Sequence, residues 1–183
     1  MLLLIPTAAE AAGLLDGPVP QDEHPVATTL AGRSVRAALC GFGPFAAGVL
    51  ASRALEAAPG ETGVLVGIAG TLAPERVAVG EVLWADAVLS AGVGRGRGPA
   101  FQGPRALGLP QAPAGAGGAG VWGGIEVGGA PMLGAPGPGL VRGALLTVSA
   151  ASGTPEEAGE RARAHPDALA EDMEGFSVAL AAR

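Results

Sequence analysis

The stretch VRAALCGFGPFAAGVLASRALEAAPGETGVLVGI, residues 35–68, contains three segments of different apolar pattern. Its two ends, residues 35–39 and 64–68, are short apolar runs with the length of a strand. Between them, Pro44 suits the first turn of a helix and Pro59-Gly60 ends it. The core-facing side of that helix is predicted to carry Val49, Leu50 and Leu55. A strand, a helix and a second strand in this order predict an α/β fold.

Similar apolar runs occur on both sides of this stretch. They lie at residues 2–5, at residues 77–89 with a break at Gly80, and at residues 144–148. A second helix is predicted in the segment 154–164, because Thr154 can cap it and Pro155 suits its first turn. His165-Pro166 closes this helix.

The segment from Gly92 to Gly139 differs from the rest of the chain. About half of its residues are Gly or Pro, and no apolar period persists. Because this composition does not supply a packed core, we predict a long loop with one short strand near residues 121–127. A loop of this length inside a compact domain is typically functional or disordered. The whole chain, residues 1–183, has the length of a single domain.

The composition excludes several classes of function. The chain has no Lys, which rules out a P-loop NTPase and Schiff-base chemistry. Cys40, His24 and His165 do not have the spacing of zinc ligands, and a lone Cys forms no disulfide within the chain. We therefore expect no metal, no cofactor and a reducing, cytoplasmic environment.

The charge and the hydropathy pattern bear on partners. A net charge of -6 argues against nucleic acid, whose binding needs clustered cations. No run reaches the roughly 18 apolar residues that a membrane span needs, and the apolar opening is too short for a signal peptide. We therefore expect neither a nucleic acid nor a membrane as partner.

The stretch AEDMEGFSVAL, residues 170–180, places three acids in front of an apolar run. A helix beginning near Asp172 would carry a core-facing stripe of Met173, Phe176 and Leu180. Glu174 stands at the margin of this stripe, where an unpaired carboxylate would be costly to bury. The simplest interpretation is that Glu171, Asp172 and Glu174 all favour the positive N-terminus of this helix.

Two further segments follow predicted strands. Glu10 comes shortly after the first strand, and ligands of α/β sheets gather at the carboxyl ends of strands. A solvated acid in a first helical turn would give the same pattern. CGFGPFAAG, residues 40–48, is a poor match to a dinucleotide-binding fingerprint, because its third Gly is displaced to Gly48. It is better explained as a tight turn that exposes backbone N–H groups.

Taken in order, these segments resemble the nucleoside phosphorylase and nucleosidase superfamily. The segments are IPTAAEA (5–11), CGFGPFAA (40–47), GIAGTLAPERVAVGEVL (67–83), RGALLTVSAASGTPEEA (142–158) and EDMEGFSVA (171–179). Within the superfamily, the chain looks most like the futalosine hydrolases. The resemblance implies a three-layer α/β fold with a central mixed, partly barrel-like sheet flanked by helices.

The resemblance also implies roles for individual residues. Glu174 would accept hydrogen bonds from the ribose hydroxyls, and Met173 would pack against the sugar. Glu10 would position and deprotonate the attacking water, with the Gly70 backbone nearby and Phe42 lining the sugar pocket. Carboxylates around the sugar suit this chemistry, because cleavage of an N-glycosidic bond passes through an oxocarbenium-like state.

The implied reaction is hydrolysis of futalosine to hypoxanthine and dehypoxanthine futalosine, a step of an alternative menaquinone pathway. Neither GFGPF nor GIAGT contains an Arg that would hold phosphate, so water is favoured over phosphorolysis. Futalosine carries an aryl carboxylate, which Arg95, Arg97 or Arg105 could reach from the long loop. The alternative is that these are solvated arginines on a disordered loop.

The chain departs from the family pattern at its C-terminal end. Family members continue through another strand to a Ser-Asp or Ser-Asn segment that faces the purine. The resemblance therefore leads us to expect that the last strand and helix are missing and that activity is weak or absent. Two other functions stay open, a non-catalytic nucleoside-binding remnant and a methylthioadenosine/S-adenosylhomocysteine-type nucleosidase. Relatives are usually homo-oligomers, and a homo-oligomer is expected here.

Overall fold

A computed structural model describes residues 1–114, 119–127 and 140–183, and it confirms the predicted mixed α/β class. In chain order the elements are β1 (Leu2–Ile5), α1 (Ala8–Leu14), β2 (Val26–Leu30), β3 (Arg33–Leu39), α2 (Pro44–Glu56), β4 (Gly63–Leu65), β5 (Gly70–Thr71), β6 (Val82–Ser90), a 3-10 helix (Gly98–Ala100), α3 (Pro104–Leu107), β7 (Gly124–Glu126), β8 (Leu140–Thr147), α4 (Pro155–Ala164), β9 (Ala168–Asp172) and α5 (Gly175–Ala181). They form two compact units, Met1–Ala69 with Asp172–Arg183, and Gly70–Glu171. The single-domain organisation stays a prediction.

The first unit is built on a four-stranded sheet with the order β2-β3-β1-β4. β1 is parallel to β3 and to β4, and Leu4 of β1 stands opposite Ala38 and Leu65. β2 pairs antiparallel with β3 at the edge. The parallel strands all end at one edge of the sheet, so the residues that follow β1, β3 and β4 lie at that edge.

Helices cover both faces of this sheet. All four residues of β1 are buried, which explains why its sequence is continuously apolar rather than alternating. One core cluster joins Leu2, Leu4, Ala38 and Cys40 to Ala47, Ala51 and Ala54 of α2 and Val178 of α5. The other joins Leu3, Ile5, Val35 and Ala37 to Ala11 of α1 and the following Leu15. The first unit is therefore a three-layer α/β arrangement.

The structure corrects one prediction about a helix face and one about where a helix begins. α2 turns small Ala side chains to the sheet and Val49 is 56% exposed, whereas Leu55 packs against the core as predicted and is partly buried. The small side chains allow the helix to pack closely against β1 and β3. α5 begins at Gly175 rather than near Asp172, because Asp172 is the last residue of β9.

The second unit contains a five-stranded mixed sheet with the order β5-β9-β8-β6-β7. β6 and β8 run parallel with an irregularity between Ala85 and Ala87, and the intervening Asp86 pairs with Arg142 of β8. The predicted strand near residues 121–127 is present as β7. The predicted run 77–89 is a strand only from Val82 onward.

α4 confirms the predicted second helix. The Thr154 hydroxyl accepts a hydrogen bond from the Glu157 N–H at 3.3 Å, and Pro155 occupies the first turn. Arg161 and Arg163 lie in the last turn, where the helix dipole favours cations. None of the helices in the described ranges has the length and apolar character that a bilayer crossing requires.

Candidate active site

The Glu10 carboxylate is held at the carboxyl edge of the first unit's sheet. Glu10 lies in the first turn of α1, directly after β1, and is half-buried. The Thr7 hydroxyl donates to Glu10 Oε2 at 2.6 Å, and the Ile68 N–H donates to Oε1 at 3.1 Å. Ile68 follows β4, so the carboxylate joins the ends of two neighbouring parallel strands. It is thus not a freely solvated first-turn acid.

The Glu174 carboxylate is held at the same sheet edge by the turn that follows β3. Glu174 precedes α5 and is only 6% exposed. The Gly43 N–H donates to Glu174 Oε1 at 2.7 Å, and the Met173 N–H donates to Oε2 at 3.3 Å. Gly41 and Gly43 both have left-handed φ angles, which build the tight turn that aims this N–H. The predicted turn with a directed backbone donor is therefore present, and its acceptor is Glu174.

Glu10, Asp172 and Glu174 form a cluster of three carboxylates, which we call the carboxylate cluster. The pKa of Glu174 is raised, first by burial and then by the charges of Asp172 and Glu10, against the opposing Gly43 hydrogen bond. Burial and the same three carboxylates raise the pKa of the neighbouring Cys40 thiol to about 12. A concentration of negative charge in a partly desolvated site suits a ligand that is, or becomes, cationic.

Glu171 does not serve a helix start, contrary to the simplest sequence interpretation, whereas Asp172 binds the first turn of α5 from a strand. They end β9, where Asp172 is 8% exposed and Glu171 is 3% exposed. Asp172 Oδ2 accepts a hydrogen bond from the Gly175 N–H at 2.6 Å and so serves the first turn of α5 from a strand. Sequence reasoning missed Asp172 as a cluster member, because its position gives no signal of the charges of Glu10 and Glu174 beside it.

Glu171 is compensated within the second unit. The Ser152 N–H donates to Glu171 Oε1 at 2.7 Å, and the Arg161 guanidinium donates to Oε2. Burial alone would raise the pKa of Glu171, but the bonds from Arg161 and Ser152 outweigh it and lower the pKa. Glu171 is therefore a buried ion-pair partner of α4.

The other predicted site residues are distributed over both units. Met173 adjoins the Gly43 turn, since a Cβ built on Gly43 would lie 4.0 Å from the Met173 methyl carbon. Phe42 is in the same turn and is 69% exposed. Gly70 belongs to the second unit, where it pairs with Glu171 across β5 and β9. The first unit therefore brings together Glu10, Glu174 and Met173 near the turn that carries Phe42.

The three arginines of the long loop lie in short local structures. Arg95 pairs with Gln102 through backbone hydrogen bonds of 2.9 and 2.8 Å, and Arg97 precedes the 3-10 helix. The Arg105 guanidinium lies over the Trp122 ring, 5.5 Å from its centroid. A substrate contact from any of them stays a prediction.

Asp22, Glu23 and His24 are the group of potential metal ligands found among the described residues. His24 Nδ1 lies 3.1 Å from Asp22 Oδ1, and Arg53 donates to Glu23 at 3.1 Å. Each side chain thus already has a partner at the protein surface, and this arrangement is that of solvated ion pairs.

No protein-family model and no curated protein sequence matches the chain. Solved structures do share its fold. A futalosine hydrolase mutant from Helicobacter pylori is 15% identical with a TM-score of 0.68, over 98% of this chain and 82% of that one.

Two solved nucleosidases acting on 5'-methylthioadenosine and S-adenosylhomocysteine give similar values. The enzyme from Colwellia psychrerythraea, in complex with adenine, is 18% identical with a TM-score of 0.69, over 98% of this chain and 74% of that one. The enzyme from Helicobacter pylori, with butyl-thio-DADMe-Immucillin-A, is 16% identical with a TM-score of 0.70, over 98% and 77%. The chain therefore has the fold of these nucleosidases.

Proposed function

We propose that the protein is a nucleosidase that hydrolyses the N-glycosidic bond of a purine nucleoside. The observation that carries this proposal is that the carboxylates of Glu10 and Glu174 lie in one cluster. These carboxylates come from opposite parts of the chain, meet at one sheet edge, and are each oriented by a backbone N–H from a neighbouring loop. The likeness in fold to nucleosidases supports the same function.

The carboxylate cluster supplies what the reaction needs. The water oxygen forms a bond to the anomeric carbon, the C–N bond breaks, and its electron pair leaves with the purine, which takes up a proton from solvent. Glu10 accepts the proton that the water loses. Glu174 binds the ribose hydroxyls, and the cluster stabilises the positive charge that develops on the sugar.

Water rather than phosphate is the proposed nucleophile. The loops that carry Phe42 and Ile68 contain no Arg, and a phosphate dianion usually requires one. The charges of Asp172 and Glu10 already act on Glu174 at this sheet edge, and the same carboxylates would repel a phosphate dianion.

Futalosine is the proposed substrate, which would place the reaction in menaquinone biosynthesis. The order of the sequence segments and the likeness to a futalosine hydrolase support it. Methylthioadenosine or S-adenosylhomocysteine is the second candidate, supported by the likeness to several nucleosidases for these compounds. A nucleoside-binding protein without catalysis is the third.

The test is to incubate the purified protein separately with futalosine, methylthioadenosine and S-adenosylhomocysteine and to quantify released hypoxanthine or adenine by chromatography. We expect Glu10→Gln and Glu174→Gln each to lower kcat by about 10²- to 10⁴-fold, because each removes a charged group that acts in the transition state. Glu160→Gln on α4 is the matched control and should keep wild-type rates.

The outcomes separate the three candidates. Release of hypoxanthine from futalosine alone supports the first, and release of adenine supports the second. Binding by calorimetry without release of base supports the third. Equal rates for the wild type and Glu174→Gln would refute the proposed role of Glu174. Sedimentation of the same preparation tests the proposed homo-oligomer.

A further inference from the structure

We propose that Thr7 is a positioning residue for Glu10. Its hydroxyl holds the Glu10 carboxylate in the orientation in which Glu10 takes a proton from the attacking water. This inference rests on the proposed function, and it assigns to Thr7 a task that its sequence position does not reveal.

The hydrogen bonds of Thr7 differ from those of a capping box. In a capping box the Glu carboxylate returns to the backbone N–H of the capping residue. Thr7 and Glu10 have the capping-box spacing, and the Thr7 hydroxyl oxygen accepts from the Glu10 N–H at 3.3 Å. The Glu10 carboxylate, however, accepts from the Thr7 hydroxyl at 2.6 Å and from the Ile68 N–H at 3.1 Å. Its orientation therefore serves the sheet edge rather than the helix end.

One donor on each oxygen fixes the plane of the carboxylate. Because the Thr7 oxygen accepts from the Glu10 N–H, its own proton is directed at Oε2. Oε1 is fixed independently by Ile68. Each oxygen keeps a further lone pair for a water or a substrate hydroxyl.

The like charges of the carboxylate cluster make such a restraint necessary. The Glu10 charge contributes to the raised pKa of Glu174, so the two carboxylates repel each other. An unrestrained Glu side chain would turn toward solvent to reduce this repulsion. The Thr7 hydroxyl and the Ile68 N–H oppose that movement.

Gly67 is a second, independent part of the same arrangement. A Cβ on Gly67 would lie 3.1 Å from Glu10 Oε1 and 3.2 Å from Cγ and Cδ of Pro6. A methyl group at this position would push the Glu10 carboxylate or the Pro6 ring by a few tenths of an ångström and so disturb the bond from the Ile68 N–H.

The first experiment compares Thr7→Val with Thr7→Ser. We expect Thr7→Val to lower kcat by about 10- to 100-fold with little change in KM, because a misplaced base affects the chemical step more than binding. Thr7→Ser keeps the hydroxyl and should restore nearly wild-type kcat. Thr154→Val is the matched control, since Thr154 caps α4 with the same 3.3 Å bond to a Glu three residues on. It should leave kcat unchanged.

A double-mutant cycle separates positioning from a merely structural effect. In the Glu10→Gln background, Thr7→Val should cause no further loss of kcat, because Thr7 acts through the carboxylate. A loss in that background equal to the loss in the wild type would overturn the inference. So would a wild-type kcat for Thr7→Val itself.

Amide hydrogen exchange needs no substrate turnover, so it tests the inference even if no nucleoside is cleaved. Amide hydrogen exchange at Ile68 should be at least about tenfold faster in Thr7→Val and in Gly67→Ala, and unchanged in Thr7→Ser. The Cys40 N–H, which donates to the Ile5 carbonyl at 2.9 Å, is the internal control. If the wild type releases no base, the proposed function is refuted, and the orientation of Glu10 by Thr7 is still tested by exchange. If exchange at Ile68 is unchanged in Thr7→Val, this inference is refuted and the proposed function is not.

Discussion

Glu174 illustrates how a single buried carboxylate can lower the stability of a fold. Its pKa is raised by burial and by Asp172 and Glu10, so its folded-state pKa lies above the unfolded value of 4.5. An acid with a raised pKa contributes stability at low pH, and this contribution is lost as the pH rises from the unfolded value through the folded one. At neutral pH, therefore, Glu174 lowers the stability of the fold.

We predict that Glu174→Gln stabilises the protein at pH 8, because the amide accepts the Gly43 hydrogen bond without a buried charge. A gain of 1 kcal/mol would raise Tm by about 2–4 °C in a chain of this size. Thermal unfolding of both proteins between pH 4 and pH 8 measures the difference. The gain should shrink as the pH falls toward 4.5, and a gain that is constant with pH would contradict this explanation.

Some parts of the candidate site can be predicted from the sequence and others cannot. Glu10 and Glu174 are predicted because each stands in a short motif of recognisable order. The hydrogen bond between the predicted turn and Glu174 is not, because Gly43 is 131 positions away and contributes only a backbone N–H. A directed main-chain group leaves no side-chain signal at its own position.

Among the elements, the turn between β3 and α2 has a tight steric requirement. Gly41 has a φ of 83°, and a Cβ there would lie 2.9 Å from the Ala46 Cβ and from the Leu50 Cδ1. Gly60 has a φ of 77° and no atom within 4 Å of its built Cβ. The two glycines therefore share a positive φ of similar size and differ in the surrounding space.

We predict that Gly60→Ala costs about 1 kcal/mol of unfolding free energy, from the left-handed conformation alone. Gly41→Ala should cost about 1–3 kcal/mol more, because the new methyl group also overpacks α2. Urea unfolding of the two variants measures both values. Equal losses would mean that α2 shifts freely and that its contact with the turn is loose.

A further prediction concerns α4 and β9. Arg161→Leu leaves the buried Glu171 carboxylate without its cation, so we expect a loss of about 3 kcal/mol in unfolding free energy. Arg163→Leu removes a cation from the same helical turn at an exposed position and should cost less than about 1 kcal/mol. Denaturant unfolding of the pair tests this, and similar losses would show that only the helix dipole is involved.

The elements that sequence predicted carry local signals, and the buried strand β9 does not. β1 is a continuous apolar run, and α4 begins with a capping Thr and a Pro. β9 ends in Glu171 and Asp172, two acids that indicate a surface or a helix start. The groups that bind these two carboxylates belong to residues before or after β9. The sequence of β9 alone therefore does not identify it as a buried strand.

At the scale of the whole molecule, ligand binding should report on the carboxylate cluster. We predict that a nucleoside analogue with a cationic sugar-ring nitrogen raises Tm more than its neutral isostere, because the cluster favours positive charge. At a concentration of 100 Kd the stabilisation is about 2.7 kcal/mol, or roughly 5–10 °C for a chain of this size. Differential scanning fluorimetry measures the shift.

The matched variants are Glu10→Gln and Glu160→Gln. The first should reduce the preference for the cationic analogue, and the second, which changes an exposed acid on α4, should keep it. Equal shifts with the cationic and the neutral analogue in the wild type would argue against a charge-selective site.

The buried Cys40 gives the molecule a built-in kinetic probe. It is the one Cys in the sequence, it is 0% exposed, and its pKa of about 12 keeps the thiol protonated and unreactive in the closed state. A disulfide reagent can therefore label the protein only when the first unit opens around the end of β3. The labelling rate would measure how often the first unit opens. A ligand that contacts both Glu10 and Glu174 should slow the labelling in proportion to the fraction of protein that has ligand bound.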